Sequence, residues 1–404
     1  MNRKKIINDP VYGFITIPSD LIFELINHPY FQRLRRIRQT GLTELVYPGA
    51  VHTRFHHAIG AMHLMKVALS SLQEKGVYLY EEEIKAALIA ILLHDIGHGP
   101  LSHSLEKELI PLSHEEIGSV LFQELNEEFN GELTLALQMF NKSYPRKFLN
   151  ELVASQLDVD RLDYLLRDSF YTGVAEGKIS ADRIIKMMNV HEDQLVIEEK
   201  GLYSIENFLN ARRLMYWQVY LHKTSVSAEK MVQSIFKRAK ELIQMNFPLT
   251  VYNKSLKKIL TETSPKNIPD FIKLDDYDIW SSIKSWAESD DEIISSLSEG
   301  IIKRDLFKVE LTSEKPSKER VNTIKADLMK KGVKKNTISY YVQSGRVTNS
   351  AYVSKEESIK IKLKNGTISD VASAADLRNI KAISKIVKKY YLLYPKHLTQ
   401  HTTK

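Results

Sequence analysis

Hydrophobic residues recur along the first 245 residues at the spacing of amphipathic helices, and residues 86–93 form an almost continuous apolar run. The pattern predicts more than one helix within 21–40 and single helices over 56–71, 81–93, 114–125, 150–169, 181–188 and 205–245. Short strands are expected on both sides of Gly13, and a hairpin over 194–204 is expected to turn at Lys200 and Gly201. This part of the chain is therefore predicted to be mostly α, with small β-hairpin elements.

The pattern changes near residue 246. It predicts two short helices over 275–296, strands over 306–312 and 339–364, a hairpin turn at 364–367 and a final helix over 380–393. A chain of 404 residues is also longer than one ordinary domain. We therefore divide it into a helical core at residues 1–245 and an α+β C-terminal region at residues 246–404, which we expect to serve oligomerisation or regulation.

Composition narrows the class of protein. The sequence is 43% hydrophobic and 26% charged, as in globular proteins, and it has no apolar run of about 20 residues that could span a membrane. The N-terminus lacks the apolar segment of a secretory signal. The absence of cysteine excludes disulfides and thiol chemistry and favours a cytoplasmic protein, in which any metal ion is held by histidine and carboxylate groups.

The net charge of +7 leaves two interpretations open. The first is an ordinary basic protein, and the second is a preference for nucleotides or nucleic acid. Much of the excess lies in the C-terminal third, at residues 325–335 and 378–389.

Histidines and carboxylates are concentrated in one part of the sequence. Eight of the 13 histidines lie between residues 52 and 114. His94 and Asp95 follow the apolar run directly, where a buried aspartate is costly unless it is paired or bound to a cation. His57 on one predicted helix and the acidic residues Asp158, Asp160 and Asp163 on another add to them. This mixture of imidazole and carboxylate suits a divalent metal ion.

The predicted helix over 150–169 has a polar face. Asp160, Tyr164 and Asp168 are spaced four residues apart, so they lie on the same side of a helix. Leucines occupy the opposite side, which favours a ligand pocket along the polar face. Asp163 and Arg167 form a neighbouring stripe, which we interpret as an intrahelical ion pair.

These motifs resemble those of a known family. HTRFHHAIG at 52–60, LLHDIGHGPLSH at 92–103, SHEEIGS at 113–119 and DVDRLDYLLRD at 158–168 are similar to the deoxynucleoside triphosphate triphosphohydrolases. That branch of the HD-domain phosphohydrolases includes bacterial dGTPases and the mammalian SAM-and-HD-domain enzyme. The resemblance runs from about residue 8 to about residue 245. It implies an HD-type helical core around one metal ion and cleavage of a dNTP to a deoxynucleoside and triphosphate.

The resemblance also implies roles for individual residues. The ligands of a divalent metal ion (Mn, Mg, Fe or Zn) would be His57, His94, Asp95 and Asp160. Protonation of the leaving 5′-oxygen would fall to His103, with Glu106 behind it and with His98 and His114 near the scissile phosphate. The phosphates would contact Arg54, Arg161 and Arg212. The sugar would be surrounded by Gln39, Tyr164, Asp168 and Tyr220.

Some features depart from the family pattern or go beyond it. Glu106 and Arg161 stand where the family often has aspartate and lysine. Thr40 and Leu221 also differ from some members, which leaves the base preference open. An assembly of identical chains is implied by the resemblance alone.

Two other functions stay open from the sequence. One is an HD-type phosphodiesterase or nucleotidase, which would release a linear nucleotide or orthophosphate in place of triphosphate. The other is a sensor that binds nucleotides or single-stranded nucleic acid. The sensor is suggested by aromatic residues among the C-terminal lysines, namely Tyr340, Tyr341, Tyr390 and Tyr391. Buried tyrosines beside a solvated lysine face would give the same pattern.

Overall fold

A β-hairpin opens the chain in the computed structural model, which describes residues 5–349, 358–375 and 387–396. Its strands are β1 (Ile6–Asp9) and β2 (Gly13–Thr16), which pair antiparallel on both sides of the turn as predicted. The following helices are α1 (Asp20–Asn27), α2 (Pro29–Gln32), α3 (Arg54–Glu74), α4 (Glu81–Leu93), α5 (Glu106–Leu109), α6 (His114–Glu128), α7 (Thr134–Phe140), α8 (Lys147–Val153), α9 (Val159–Thr172) and α10 (Ala181–Met187).

Strands interrupt the helices in the second half of the chain. The first group of elements is β3 (Met188–His191), β4 (Gln194–Glu198), α11 (Leu202–Met215), α12 (Lys223–Gln244), α13 (Lys254–Thr261), α14 (Ile268–Phe271), α15 (Asp276–Trp286) and α16 (Glu292–Ile302). The last group is β5 (Lys308–Thr312), α17 (Lys318–Lys330), β6 (Gln343–Asn349), β7 (Lys360–Lys362), β8 (Ile368–Asp370), α18 (Val371–Ala374) and β9 (Val387–Tyr394). The protein is therefore mostly α, as the sequence predicts.

Two predicted helices are each divided in the structure. The one expected over 150–169 is α8 and α9, and Asp158 between them accepts a hydrogen bond from the backbone N–H of Arg161 as the N-cap of α9. The one expected over 205–245 is α11 and α12, joined by a π-helical turn at Tyr216–Tyr220. Local side-chain caps and turns end these helices, although the apolar periodicity continues through them.

Two predictions about strands are wrong. The hairpin of β3 and β4 turns at Glu192 and Asp193, which both have positive φ, and Lys200 and Gly201 lie in a short 3₁₀ turn before α11. The helix expected over 380–393 is β9 from Val387 onward, the central strand of the sheet β5-β9-β6. Residues 380–386 lie outside the described residues. The sequence of β9 is rich in tyrosine and leucine, which suit a buried strand.

One apolar core extends across residue 245. It includes the buried side chains of α3 and α4, and also Phe271, Trp286 and Leu297 of the C-terminal region. The turn at 364–367 joins β7 to β8 in the four-stranded sheet β3-β4-β7-β8, as predicted. The division of the chain at 245/246 stays a prediction.

Among the described residues, no helix combines the length and apolar character needed to cross a membrane.

Candidate active site

Three side chains from three helices converge at the centre of the helical core. His57 lies on α3, His94 follows the last residue of α4, and Asp160 lies in the first turn of α9. The Nε2 atoms of the two histidines are 3.1 Å apart, and Asp160 Oδ1 lies 3.1 Å from His57 Nε2 and 3.6 Å from His94 Nε2. Their candidate ligand atoms are all within 4.8 Å of one another, so one ion could contact all three.

The hydrogen bonds of the two imidazoles fit a bound cation. His57 Nδ1 lies 2.7 Å from Asp163 Oδ2, and His94 Nδ1 lies 2.6 Å from the carbonyl oxygen of Ile91. Both acceptors require a proton on Nδ1, which leaves the two Nε2 lone pairs facing each other. Two nitrogens on a tetrahedral zinc ion at ordinary bond lengths are about 3.3 Å apart. The donor set and its spacing therefore fit a divalent metal ion.

The site attracts positive charge. Burial by itself lowers the pKa of His57, but hydrogen bonds to Asp160 and Asp163 raise it to about 10. The same carboxylates that favour a proton on His57 favour a metal ion in its place, because both carry positive charge.

Asp95 stands at the edge of this group. Its carboxylate is 3.3 Å from His94 Nε2 and 3.8 Å from His57 Nε2, and it also accepts a 2.6 Å hydrogen bond from Arg54. Burial raises the pKa of Asp95, but Arg54 and the neighbouring histidines outweigh burial and hold that pKa well below its ordinary value. Asp95 is therefore ionised and close enough to take part, and its predicted role as a ligand stays a prediction.

A second group of histidines lies on the other side of Asp95. Glu106 accepts hydrogen bonds from both His103 Nδ1, at 3.2 Å, and His114 Nδ1, at 3.0 Å. The rings of His98 and His114 are stacked at 3.9 Å, and His98 Nε2 lies 3.4 Å from Asp95 Oδ1. The structure thus brings together the four residues that the sequence assigned to the scissile bond. The side chain of His103 is 68% exposed and free to meet a ligand.

A third group lies near the C-terminal end of α9. Asp168 accepts a 2.6 Å hydrogen bond from the hydroxyl of Tyr220 and lies 2.6 Å from Nε2 of His52. The rings of Tyr164 and Tyr220 meet edge to face at 6.1 Å. Asp168 and His52 are buried, so the carboxylate is held on both sides. His52 was not among the predicted site residues, although it begins the HTRFHH run.

One cavity of about 820 Å³ joins the three groups. The predicted site residues that line it are Gln39, Arg54, His57, His94, Asp95, His98, His103, His114, Asp160, Arg161, Tyr164, Asp168 and Tyr220. Glu106 lies behind His103 and His114. Arg212 is buried beside the wall, where it donates a 3.1 Å hydrogen bond to Gln156.

Comparison with known proteins identifies the family. Residues 54–168 match the HD domain, and residues 179–247 match an HD-associated region. A solved phosphohydrolase from Bacteroides thetaiotaomicron VPI-5482 has a TM-score of 0.93 and 48% sequence identity, and the match covers 97% of this chain and 100% of that one. The chain belongs to the HD-domain phosphohydrolases. YwfO of Bacillus subtilis is 36% identical over 319 residues, which cover 76% of this chain and 72% of that protein.

Relatives of this HD-domain phosphohydrolase include a protein named for its activity. The Dictyostelium discoideum homolog of SAMHD1, a deoxynucleoside triphosphate triphosphohydrolase, is 30% identical over 289 residues, or 65% of this chain. The chain spans 56% of the length of that relative.

Two further residues of this HD-domain phosphohydrolase contribute to the site. Asp163, which the sequence placed in the acidic run of the candidate metal site and in an ion pair with Arg167, also fixes the orientation of His57. Glu229 of α12 lines the cavity, and burial raises the pKa of its carboxyl to about 7 although Lys230 and a hydrogen bond with Ser104 lower it. The sequence thus drew attention to Asp163 but not to its contact with His57, whereas no local pattern distinguishes Glu229.

Proposed function

We propose that this chain is a metal-dependent dNTP triphosphohydrolase, which cleaves dGTP or several dNTPs to a deoxynucleoside and triphosphate. The observation that carries the proposal is the cavity that joins the His57–His94–Asp160 group to Asp168 and Tyr220. A dNTP matches this layout, because its sugar is linked directly to the α-phosphate at which it would be cleaved. The sequence resemblance and the named relative support the same activity.

Different residues of the cavity would contribute to different parts of the hydrolysis. A divalent ion would polarise a phosphate oxygen and lower the pKa of a bound water molecule. His103 is exposed and hydrogen-bonded to Glu106, so it can deliver a proton to the leaving 5′-oxygen. Arg161 lines the same cavity and would donate hydrogen bonds to the phosphates, although Asp158 already balances its charge.

The end of the cavity at Asp168 and Tyr220 would favour a deoxyribose. Asp168 can accept a hydrogen bond from a sugar hydroxyl while Tyr220 and His52 hold the carboxylate in place. The rings of Tyr164 and Tyr220 line the cavity beside it. A 2′-hydroxyl buried against these rings would lack a partner, which disfavours a ribonucleotide.

The test is a product assay. The protein is incubated with each dNTP, singly and in mixtures, in the presence of Mn²⁺ or Mg²⁺, and inorganic triphosphate and deoxynucleoside are quantified. We expect the two products in equal amounts from at least one dNTP. If metal-loaded protein releases no triphosphate under any of these conditions, the proposal is wrong.

A second candidate is a phosphodiesterase or nucleotidase. His98, His103, Glu106 and His114 also have ligand atoms within 4.8 Å of one another, and Asp95 lies between this group and the first. If each group held an ion, the pair would suit hydrolysis of a phosphate ester. This candidate predicts a linear nucleotide or orthophosphate as product, which can be measured in the same assay together with the metal content per chain.

Binding of single-stranded nucleic acid has less support. Tyr340 and Tyr391 are buried, at 5% and 8% exposure, so their rings are not available for stacking on bases. Tyr340 also donates a hydrogen bond to Glu241. The assembly of identical chains stays a prediction from the resemblance.

A further inference from the structure

The loop that carries His98 and His103 has a strained backbone. Leu101 and Ser102 have positive φ angles of 53° and 52°. For residues other than glycine, this conformation persists only where surrounding contacts enforce it. The loop also follows the metal-binding residues directly, so its path sets the distance between the two groups of histidines.

Contacts from residues 271–276 enforce this path. Asp276 accepts a 2.7 Å hydrogen bond from the backbone N–H of Leu101 through one carboxylate oxygen, and a 2.8 Å bond from the N–H of Arg38 through the other. Arg38 precedes Gln39, which also lines the cavity. A single buried carboxylate, 5% exposed, therefore joins two adjacent segments that line the cavity.

Two further contacts hold the same loop. Phe271 packs so closely on Gly99 that a Cβ atom there would lie 2.2 Å from the ring. The buried guanidinium of Arg33 donates to the carbonyl oxygens of Ile96 and His98, at 2.9 and 2.8 Å, and to that of Leu274 at 3.2 Å. These contacts join the loop to residues 271–276 at three successive points.

We propose that Asp276 is a positioning residue of the active site, which holds the 96–104 loop so that His98 and His103 face the metal-binding group. Residues 271–276 lie outside both family-matched ranges, 54–168 and 179–247. The C-terminal region would thus complete the active site from behind the loop. The catalytic consequence rests on the proposed triphosphohydrolase function, whereas the structural consequence does not.

The experiment compares two neighbouring aspartates in the full chain. Asp276→Asn keeps the size of the side chain but turns an amide N–H towards one of the two backbone donors. We expect kcat to fall about tenfold to a hundredfold, with the metal content per chain unchanged. Asp275→Asn is the matched control, because Asp275 pairs with Arg36 and caps α15 but does not contact the loop, and asparagine is an equally good N-cap. It should change kcat less than about twofold.

Hydrogen–deuterium exchange provides a readout that does not depend on activity. In Asp276→Asn, amides of residues 96–104 should exchange faster while those of α4 keep the wild-type rate. Wild-type kcat together with wild-type exchange would overturn the proposal, and so would loss of the metal ion, which would show a general defect. If wild-type protein releases no triphosphate, the proposed function fails and exchange alone decides the positioning role.

A second variant covers the case in which Asp276→Asn does not fold. Phe271→Leu shortens the side chain that faces Gly99 and keeps it apolar. Faster exchange confined to residues 96–104 would support the positioning role, and unchanged exchange there would contradict it.

Discussion

The orientation of His57 offers the sharpest test of the metal centre. Asp163 Oδ2 lies 2.7 Å from His57 Nδ1 and 2.9 Å from Arg167 Nε, and Arg167 continues to Asp9 of the N-terminal hairpin at 2.8 Å. All of these side chains are buried. Burial raises the pKa of Asp163, but Arg167 and His57 outweigh it and keep the carboxyl ionised. Asp163→Asn replaces this acceptor with an amide of the same shape.

The expected effect has two parts. Groups that orient a metal-binding histidine typically contribute about tenfold to a hundredfold in metal affinity, or about 1.4 to 2.8 kcal/mol. Breaking a buried ion pair costs about 3 to 5 kcal/mol, and the lower end applies here because Arg167 keeps its contact with Asp9. The variant should therefore bind Mn²⁺ about tenfold to a hundredfold more weakly and unfold at a lower temperature.

The assay must separate metal affinity from stability. Mn²⁺ binding is measured by calorimetry at a temperature where every variant is folded. Glu83→Gln is the matched control, because Glu83 is equally buried and accepts hydrogen bonds from Tyr144 and Arg146 far from the metal-binding group. It should lower stability and leave Mn²⁺ affinity unchanged, and Asp160→Ala should abolish binding. Wild-type affinity in Asp163→Asn would refute the orienting role.

Three further predictions concern the cavity. Tyr220→Phe removes the hydroxyl bonded to Asp168 and should lower kcat/KM for dNTPs about tenfold, which steady-state kinetics can check against unchanged metal content. Glu229 has a pKa of about 7, so its carboxylate forms as the pH rises through 7 and can then accept both edge N–H groups of guanine. In the wild type, kcat/KM for dGTP relative to kcat/KM for dATP should therefore rise as the pH increases through 7. A similar rise in Glu229→Gln would contradict a role of this carboxylate in binding guanine. The pKa of Glu106 is far below its ordinary value, because hydrogen bonds from His103 and His114 outweigh burial. The ionised Glu106 carboxylate therefore stabilises the fold above about pH 4.5, and this stabilisation is lost as the pH falls below that value. The difference in Tm between wild type and Glu106→Gln should become smaller at low pH.

Local patterns in the sequence were sufficient for much of the site. The spacing of Asp160, Tyr164 and Asp168 placed them on one face of α9, and all three line the cavity. The buried run before His94 predicted α4 with its observed ends. Helical periodicity and motif order depend on neighbours in sequence, so they can be read without knowledge of the fold.

Contacts between distant segments could not be read in this way. Glu229 and Asp276 lie on helices whose apolar patterns indicate only that one face is buried, and neither pattern shows which residue the polar side chain meets. Gly60 is a similar case. A Cβ atom there would lie 2.1 Å from both Arg167 and Asp163, so glycine leaves room for their ion pair, yet a glycine inside a helix gives no such signal.

The ion pairs of the cavity constrain how a triphosphate could bind. Arg54 is paired with Asp95 at 2.6 Å and Arg161 with Asp158 at 3.3 Å, so two of the predicted phosphate contacts already have their charge balanced. Buried Arg212 contacts the neutral amide of Gln156, and its Nε has no hydrogen-bond partner. Three or four negative charges on a nucleotide therefore exceed the free positive charge of the arginines. A cation held by His57, His94 and Asp160 would supply part of the remainder, so binding of the nucleotide and of the metal ion should be coupled in this cavity.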